Sequence, residues 1–108
     1  MLEYAWSPKE KTIARTAFDK AFNNECTHVI ATLRTRLSKI TEPRDVWKLE
    51  TYLSEKRRLI DRKYDYRYSA LILVFGALLR EGWIETRDLD GLAEDKLQRI
   101  KAIAEGIR

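Results

Sequence analysis

Residues 56–83 read KRRLIDRKYDYRYSALILVFGALLREGW. Basic and aromatic side chains crowd the first half, and no polar side chain occurs between Ala70 and Leu79. Such a junction fits a nucleic-acid surface, a membrane anchor, or the outside and inside of one folded helical protein. Length removes the anchor, because the apolar run is about half the ~20 residues that span a bilayer. Read as a helix over about 67–81, with Gly82 just past its end, the run has no polar face and is expected to be buried nearly all round.

Upstream, Thr41-Glu42-Pro43 reads as a stop and restart, and a helix is expected from about 43 to 64. At ~100° per residue, Val46, Leu49, Leu53, Ile60 and Tyr64 share one apolar arc. Trp47, Ser54 and Arg58 line up on a different face, flanked by Thr51 on one side and by Glu50 and Arg57 on the other. The tryptophan therefore sits on the polar side of its helix.

Further upstream, Ser7-Pro8-Lys9-Glu10 is a helix start, with Ser7 as cap, Pro8 in the first turn and Glu10 completing a capping box. Apolar residues then recur, and from Cys26 through Ile30, Leu33 and Leu37 to Ile40 the steps are those of a packed helix seam. A helix over 8–40 would be about 50 Å long, more than a compact domain of this size is wide. It needs a partner along its length. Downstream, Thr86 is placed to cap a helical piece reaching about Gly91. A last helix near 92–105 turns Leu92, Leu97, Ile100 and Ile103 inward.

The expected fold is all-α, a single domain over 1–108. Long antiparallel helices over about 8–64 form a homodimer seam from Cys26, Ile30, Leu33, Leu37, Ile40, Leu49 and Leu53, and residues 65–108 form a compact helical head. The 108 residues suit one domain, and four Gly and two Pro leave room for few, long elements. One cysteine excludes an internal disulfide. The N-terminus MLEYAWSPKEK lacks the basic-then-apolar pattern of a signal peptide, so a cytoplasmic location is expected.

The net charge is +4, and eleven Lys/Arg against six Asp/Glu fall between Arg34 and Arg67. Glu50, Glu55, Asp61 and Asp65 interrupt those cations, while six acids against Arg87 alone occupy 81–95. Arg57, Arg58, Arg62, Lys63 and Arg67 with Tyr64, Tyr66 and Tyr68 could track phosphates and stack bases. The interleaved acids, and the lack of a nucleic-acid module, favour a salt-bridged helix end whose tyrosines pack at a bend. A basic nucleic-acid-binding helical protein is the alternative from another class.

Catalytic sets are missing. Cys26 and His28 lie two apart and point away from each other on a helix, so neither a metal site nor a nucleophile pair is expected. No glycine-rich phosphate loop occurs, and no cofactor or enzymatic activity is expected. Trp47 is the sharper signal, since tryptophan with arginine is enriched at interface hot spots. It packs between helices, fills a dimer seam, or anchors a partner.

The segments WKLETYLSEKRRLIDRKYDYR, LILVFGALLREGWI and LAEDKLQRIKAI resemble the fluorescence recovery protein family of cyanobacteria, over most of the chain from Ile40 to Ile103. The resemblance implies a small all-helical homodimer with a C-terminal head and no cofactor. Such proteins bind the photoactivated orange carotenoid protein, speed its return to the dark form and so end antenna quenching. It also implies partner-binding roles for Trp47 and Arg57, and for Leu73 and Arg99, where the family has phenylalanine and lysine. The family's functional aspartate falls at Thr51, with Glu50 where histidine is common. Those departures imply weakened activity, or a relative serving a different protein partner.

Overall fold

The computed structural model describes residues 4–106, and all its regular structure is helical. Helix α1 spans Pro8–Leu37, α2 Pro43–Lys63, α3 Leu71–Glu81 and α4 Glu94–Ala104, with a 3-10 turn at Thr86–Leu89 between the last two.

Helix α1 starts as its sequence dictates. Ser7 Oγ accepts from the Glu10 amide at 3.1 Å, and Glu10 Oε1 accepts from the Ser7 amide at 3.0 Å. It ends three residues sooner than expected, at Leu37. Beyond that point the amides of Lys39 and Ile40 bond three residues back, to Arg36 and Leu37, and this tighter winding unravels the helix ahead of Pro43. Ile40 thus lies in the connecting turn. Asp45 then restarts the chain, its carboxylate accepting from the amides of Thr41 (3.0 Å) and Glu42 (3.3 Å) while Pro43 occupies the first turn.

The α2–α3 junction departs most from expectation. Helix α3 begins at Leu71 rather than near 67, and the chain from Tyr64 to Arg67 is extended or irregular. In extended chain alternate residues face one way, so the period-two spacing of Tyr64 and Tyr66 lays both rings against α1, and Tyr68 follows in the turn before α3. Tyr64 meets Phe18 and Phe22 edge-on at 5.3 and 5.2 Å, and Tyr66 meets Phe18 at 4.9 Å. Tyr68 reaches Trp6 at 5.9 Å. Arg15 lies 3.7 Å over the Tyr66 ring, while Asp65 and Arg67, between the tyrosines, pair with each other at 2.8 Å. The basic-aromatic half of the opening stretch is therefore the end of α2 plus an aromatic strap across α1.

Its apolar half builds the head. Leu71, Phe75 and Leu78 of α3 are fully buried with Leu89 and Ile100. Gly76 lets α4 come close, since a Cβ there would stand 2.3 Å from Ile103 Cγ2. Gly82, at φ 82°, ends α3, with the Gly82 and Trp83 amides bonded back to Leu79 and Leu78 as in a Schellman motif. The expectation that α3 is buried all round fails at Leu73, which is 62% exposed. Leu73 and Arg80 are seven residues apart on the outer line of the helix, where Leu73 is left to solvent while Arg80 reaches over to donate to the Ile103 and Ala104 carbonyls at the end of α4.

Two further expectations change. The 3-10 turn is capped by Glu85 rather than Thr86, with Asp88 accepting from the Glu85 amide at 2.8 Å. The last helix is shorter than 92–105, and Leu97 and Ile103 are half-buried while Leu92 and Ile100 are buried.

A head confined to residues 65–108 is also corrected. Ala14, Ala17, Phe18 and Ala21 of α1 lie in the same buried cluster as Phe75 and Ile100. Small alanines allow close approach, and two ion pairs fasten α1 there: Lys20 to Asp88 at 2.8 Å, and Glu10 to Lys96 at 3.0 Å. The C-terminal half of α1 leaves the head beside α2 as an antiparallel hairpin, where Arg36 stacks 4.1 Å over Tyr52. The molecule measures 53 × 24 × 22 Å. No residue of α2 is buried. Ile30 and Leu37 of α1 and Val46 and Leu53 of α2 are exposed, and at ~100° per residue they fall on one flank of the hairpin.

Candidate partner-binding face

The side of α2 turned away from α1 carries Trp47, 67% exposed. One turn on, Thr51 Oγ1 donates back to the Trp47 carbonyl at 3.1 Å, so the hydroxyl proton is spent on the helix itself. Glu50 accepts from Ser54 Oγ at 2.5 Å, and Arg57 leans toward Asp61 at 3.7 Å. Glu50, Thr51, Arg57 and Arg58 are all exposed. An indole thus stands in water among short polar groups and loosely held charges. Among the readings weighed for Trp47, burial in the groove between α1 and α2 is ruled out, since Tyr52 holds that position against Arg36.

Leu73 and Arg99, the two head residues for which the resemblance implies partner binding, are both exposed. Asp95 bonds the Lys96 amide at 2.9 Å. The seam residues split: Cys26, Leu33, Ile40 and Leu49 are half-buried, while Ile30, Leu37 and Leu53 are exposed. Ile40 and Leu49 line an open groove of about 220 Å³ at the hairpin tip, with Arg36, Lys39, Asp45 and Lys48. Burial and the neighbouring Glu25 carboxylate push the Cys26 thiol up from its ordinary range, which makes it a poor nucleophile. His28, two residues on, lies 5.7 Å from the Trp83 ring. Among the described residues no group of three or more His, Cys, Asp and Glu could hold a metal ion. No helix among them is long and apolar enough to cross a membrane.

Two polar clusters gave no signal in the sequence. In the first, burial works against the Glu10 carboxylate. The Ser7 and Ala93 amides and Lys96 outweigh it and hold the group at about 2. In the second, Glu25 of α1, only 3% exposed, takes Lys63 Nζ at 2.7 Å and Tyr64 Oη at 2.8 Å. Lys63 also reaches Glu81 at 2.6 Å, which accepts from Trp83 Nε1 at 2.9 Å. Burial opposes the charge on Lys63, yet the two carboxylates keep it above the usual lysine range. Burial and Glu25 together push the Tyr64 phenol upward. Glu10 and Lys96 are 86 residues apart and Glu25 and Lys63 38, and charged residues carry no periodicity that could pair them.

The family described as photoprotection regulator fluorescence recovery protein matches residues 6–104. The chain belongs to the fluorescence recovery protein family. It is 44% identical over 102 residues to the fluorescence recovery protein of Synechocystis sp. PCC 6803, covering 94% of each chain. The solved structure of that protein superposes with a TM-score of 0.89, over 94% of this chain and 99% of the other. The fluorescence recovery protein of Fremyella diplosiphon gives the same TM-score and coverage at 40% identity. The family's members are regulators of photoprotection, and the all-helical fold is theirs.

Proposed function

We propose that this chain binds the photoactivated orange carotenoid protein and speeds its return to the dark form, ending antenna quenching by protein contact alone. The observation that carries the reading is Trp47, standing in water on a helix that buries no residue. Burying one such indole against a partner, with Arg57 and Arg58 beside it, supplies the aromatic anchor typical of a small interface. Leu73 and Arg99 on the head are the second contact region. The deciding experiment follows dark recovery of a purified, photoconverted carotenoid protein with and without this protein. Acceleration that Trp47→Ala abolishes supports the reading, and an unchanged recovery rate refutes it. The neutral Thr51 favours a second reading within the same family, a relative that engages another protein through the same face.

The same proposal includes a homodimer. The flank formed by Ile30, Leu37, Val46 and Leu53, with half-buried Leu33 beside them, is apolar and largely uncovered within one chain, and burial of such area favours association. A second copy presents the same flank, so a twofold pairing satisfies both at once. That arrangement leaves the Trp47 side of α2, which points away from α1, free for the partner.

A further inference from the structure

Within one chain helix α2 has no fully buried side chain, and its apolar contacts with α1 are limited to half-buried residues such as Leu49, Tyr52 and Ile60, so they constrain its direction relative to the head only weakly. Besides the Tyr64 and Tyr66 rings on Phe18 and Phe22, what joins its end to the head is the cluster of Glu25, Lys63, Tyr64 and Glu81. There one ammonium bridges a buried carboxylate on α1 and a second carboxylate at the end of α3, and the next residue's phenol bonds the first carboxylate again. Hydrogen bonds are directional where apolar contacts are not, and this set touches three helices at the point where α2 stops.

We propose that Glu25, Lys63 and Glu81 are positioning residues, which lock α2 at a fixed angle to the head and so hold Trp47 at a set distance from Leu73 and Arg99. The inference rests on the reading that both regions engage one partner. Two contacts on one rigid body bind as a linked pair, and the gain is lost when their spacing is no longer held.

The test combines a distance and a rate. Spin labels at Glu55→Cys on α2 and Gln98→Cys on α4, in a Cys26→Ser background diluted with unlabelled protein, report the α2–head distance. Glu25→Gln with Lys63→Met removes the buried charges together, so that neither is stranded. Lys63→Arg keeps a cation able to reach both carboxylates. The double variant is expected to broaden the distance distribution and slow recovery of the carotenoid protein about tenfold, and Lys63→Arg to keep both near wild type. Should the double variant not fold, Glu81→Gln, which cuts only the link to α3, is read in the same two ways. A distance distribution unchanged in the charge-removed variant overturns the proposal, whatever happens to the rate. Broadening with no loss of rate overturns it too, as does Lys63→Arg behaving like the double variant. Failure of the underlying reading looks different: Trp47→Ala then leaves recovery untouched while the distances still respond, and the lock stands as geometry without a role in binding.

Discussion

Trp47 and Thr51 are one helical turn apart, and the bond between them sets what a partner meets. With its proton turned into the helix, Thr51 offers a methyl group and a weak acceptor beside the indole. An aspartate at 51, as the family pattern has it, would offer a full charge. Thr51→Asp is expected to raise the recovery rate by up to about tenfold, worth ~1.4 kcal/mol, and Trp47→Ala to remove activity while thermal unfolding stays put. Parallel recovery assays and melting curves check both. Glu10 makes a different claim. Its folded value of about 2 lies below the ordinary 4.5, so its contribution to stability is complete above pH 4.5 and drains away as pH falls toward 2. Glu10→Gln strands Lys96 in the interior and is expected to cost ~3 kcal/mol near neutral pH. It should also flatten the acid limb of stability against pH, which denaturant melts across that range would measure. The sequence announced Trp47, because a large aromatic among Thr, Ser and Arg breaks its helix's pattern. It announced Glu10 only as a cap, since nothing near Glu10 hints at Lys96, 86 residues away.

At the scale of elements, α3 shows where an apolar run misleads. Ten residues without a polar marker give no clue to which side faces water, and the outward turn of Leu73 follows only from what packs around the helix. Phe75→Ala is expected to cost ~3–5 kcal/mol. Leu73→Ala, though equally apolar in sequence, should stay within about 0.5 kcal/mol and weaken recovery instead. Unfolding curves for the pair separate core from surface on the same helix. Gly76→Ala forces Ile103 aside and is expected to destabilise α3 against α4 by ~1–3 kcal/mol. The starts and caps of α1 and α2 were legible because Ser7, Pro8 and Pro43 act locally. The start of α3 was not, because the tyrosines at 64 and 66 follow a period-two pattern that only contact with α1 turns into extended chain.

For the whole molecule, the uncovered flank of the hairpin predicts a dimer at micromolar concentration, measurable by light scattering. Leu53→Glu, placing a charge in that seam, should shift the mass toward one chain without unfolding the head. The exposed apolar pair Ile30 and Leu37 on α1 was readable from its spacing. The sharing of α1 between hairpin and head was not, because a run of small alanines looks alike on either side. That sharing has a consequence for how the protein is made. Ala21 precedes Leu71 by about 50 residues, and ribosomes add ~5–20 residues per second, so the first half of α1 waits some seconds for side chains that a microsecond helix needs to be covered. During that interval the nascent chain shows two bare stripes, one covered later by its own C-terminal head and one that stays uncovered within the chain. The order of synthesis thus leaves the head-facing stripe of α1 bare until the last third of the chain has been made.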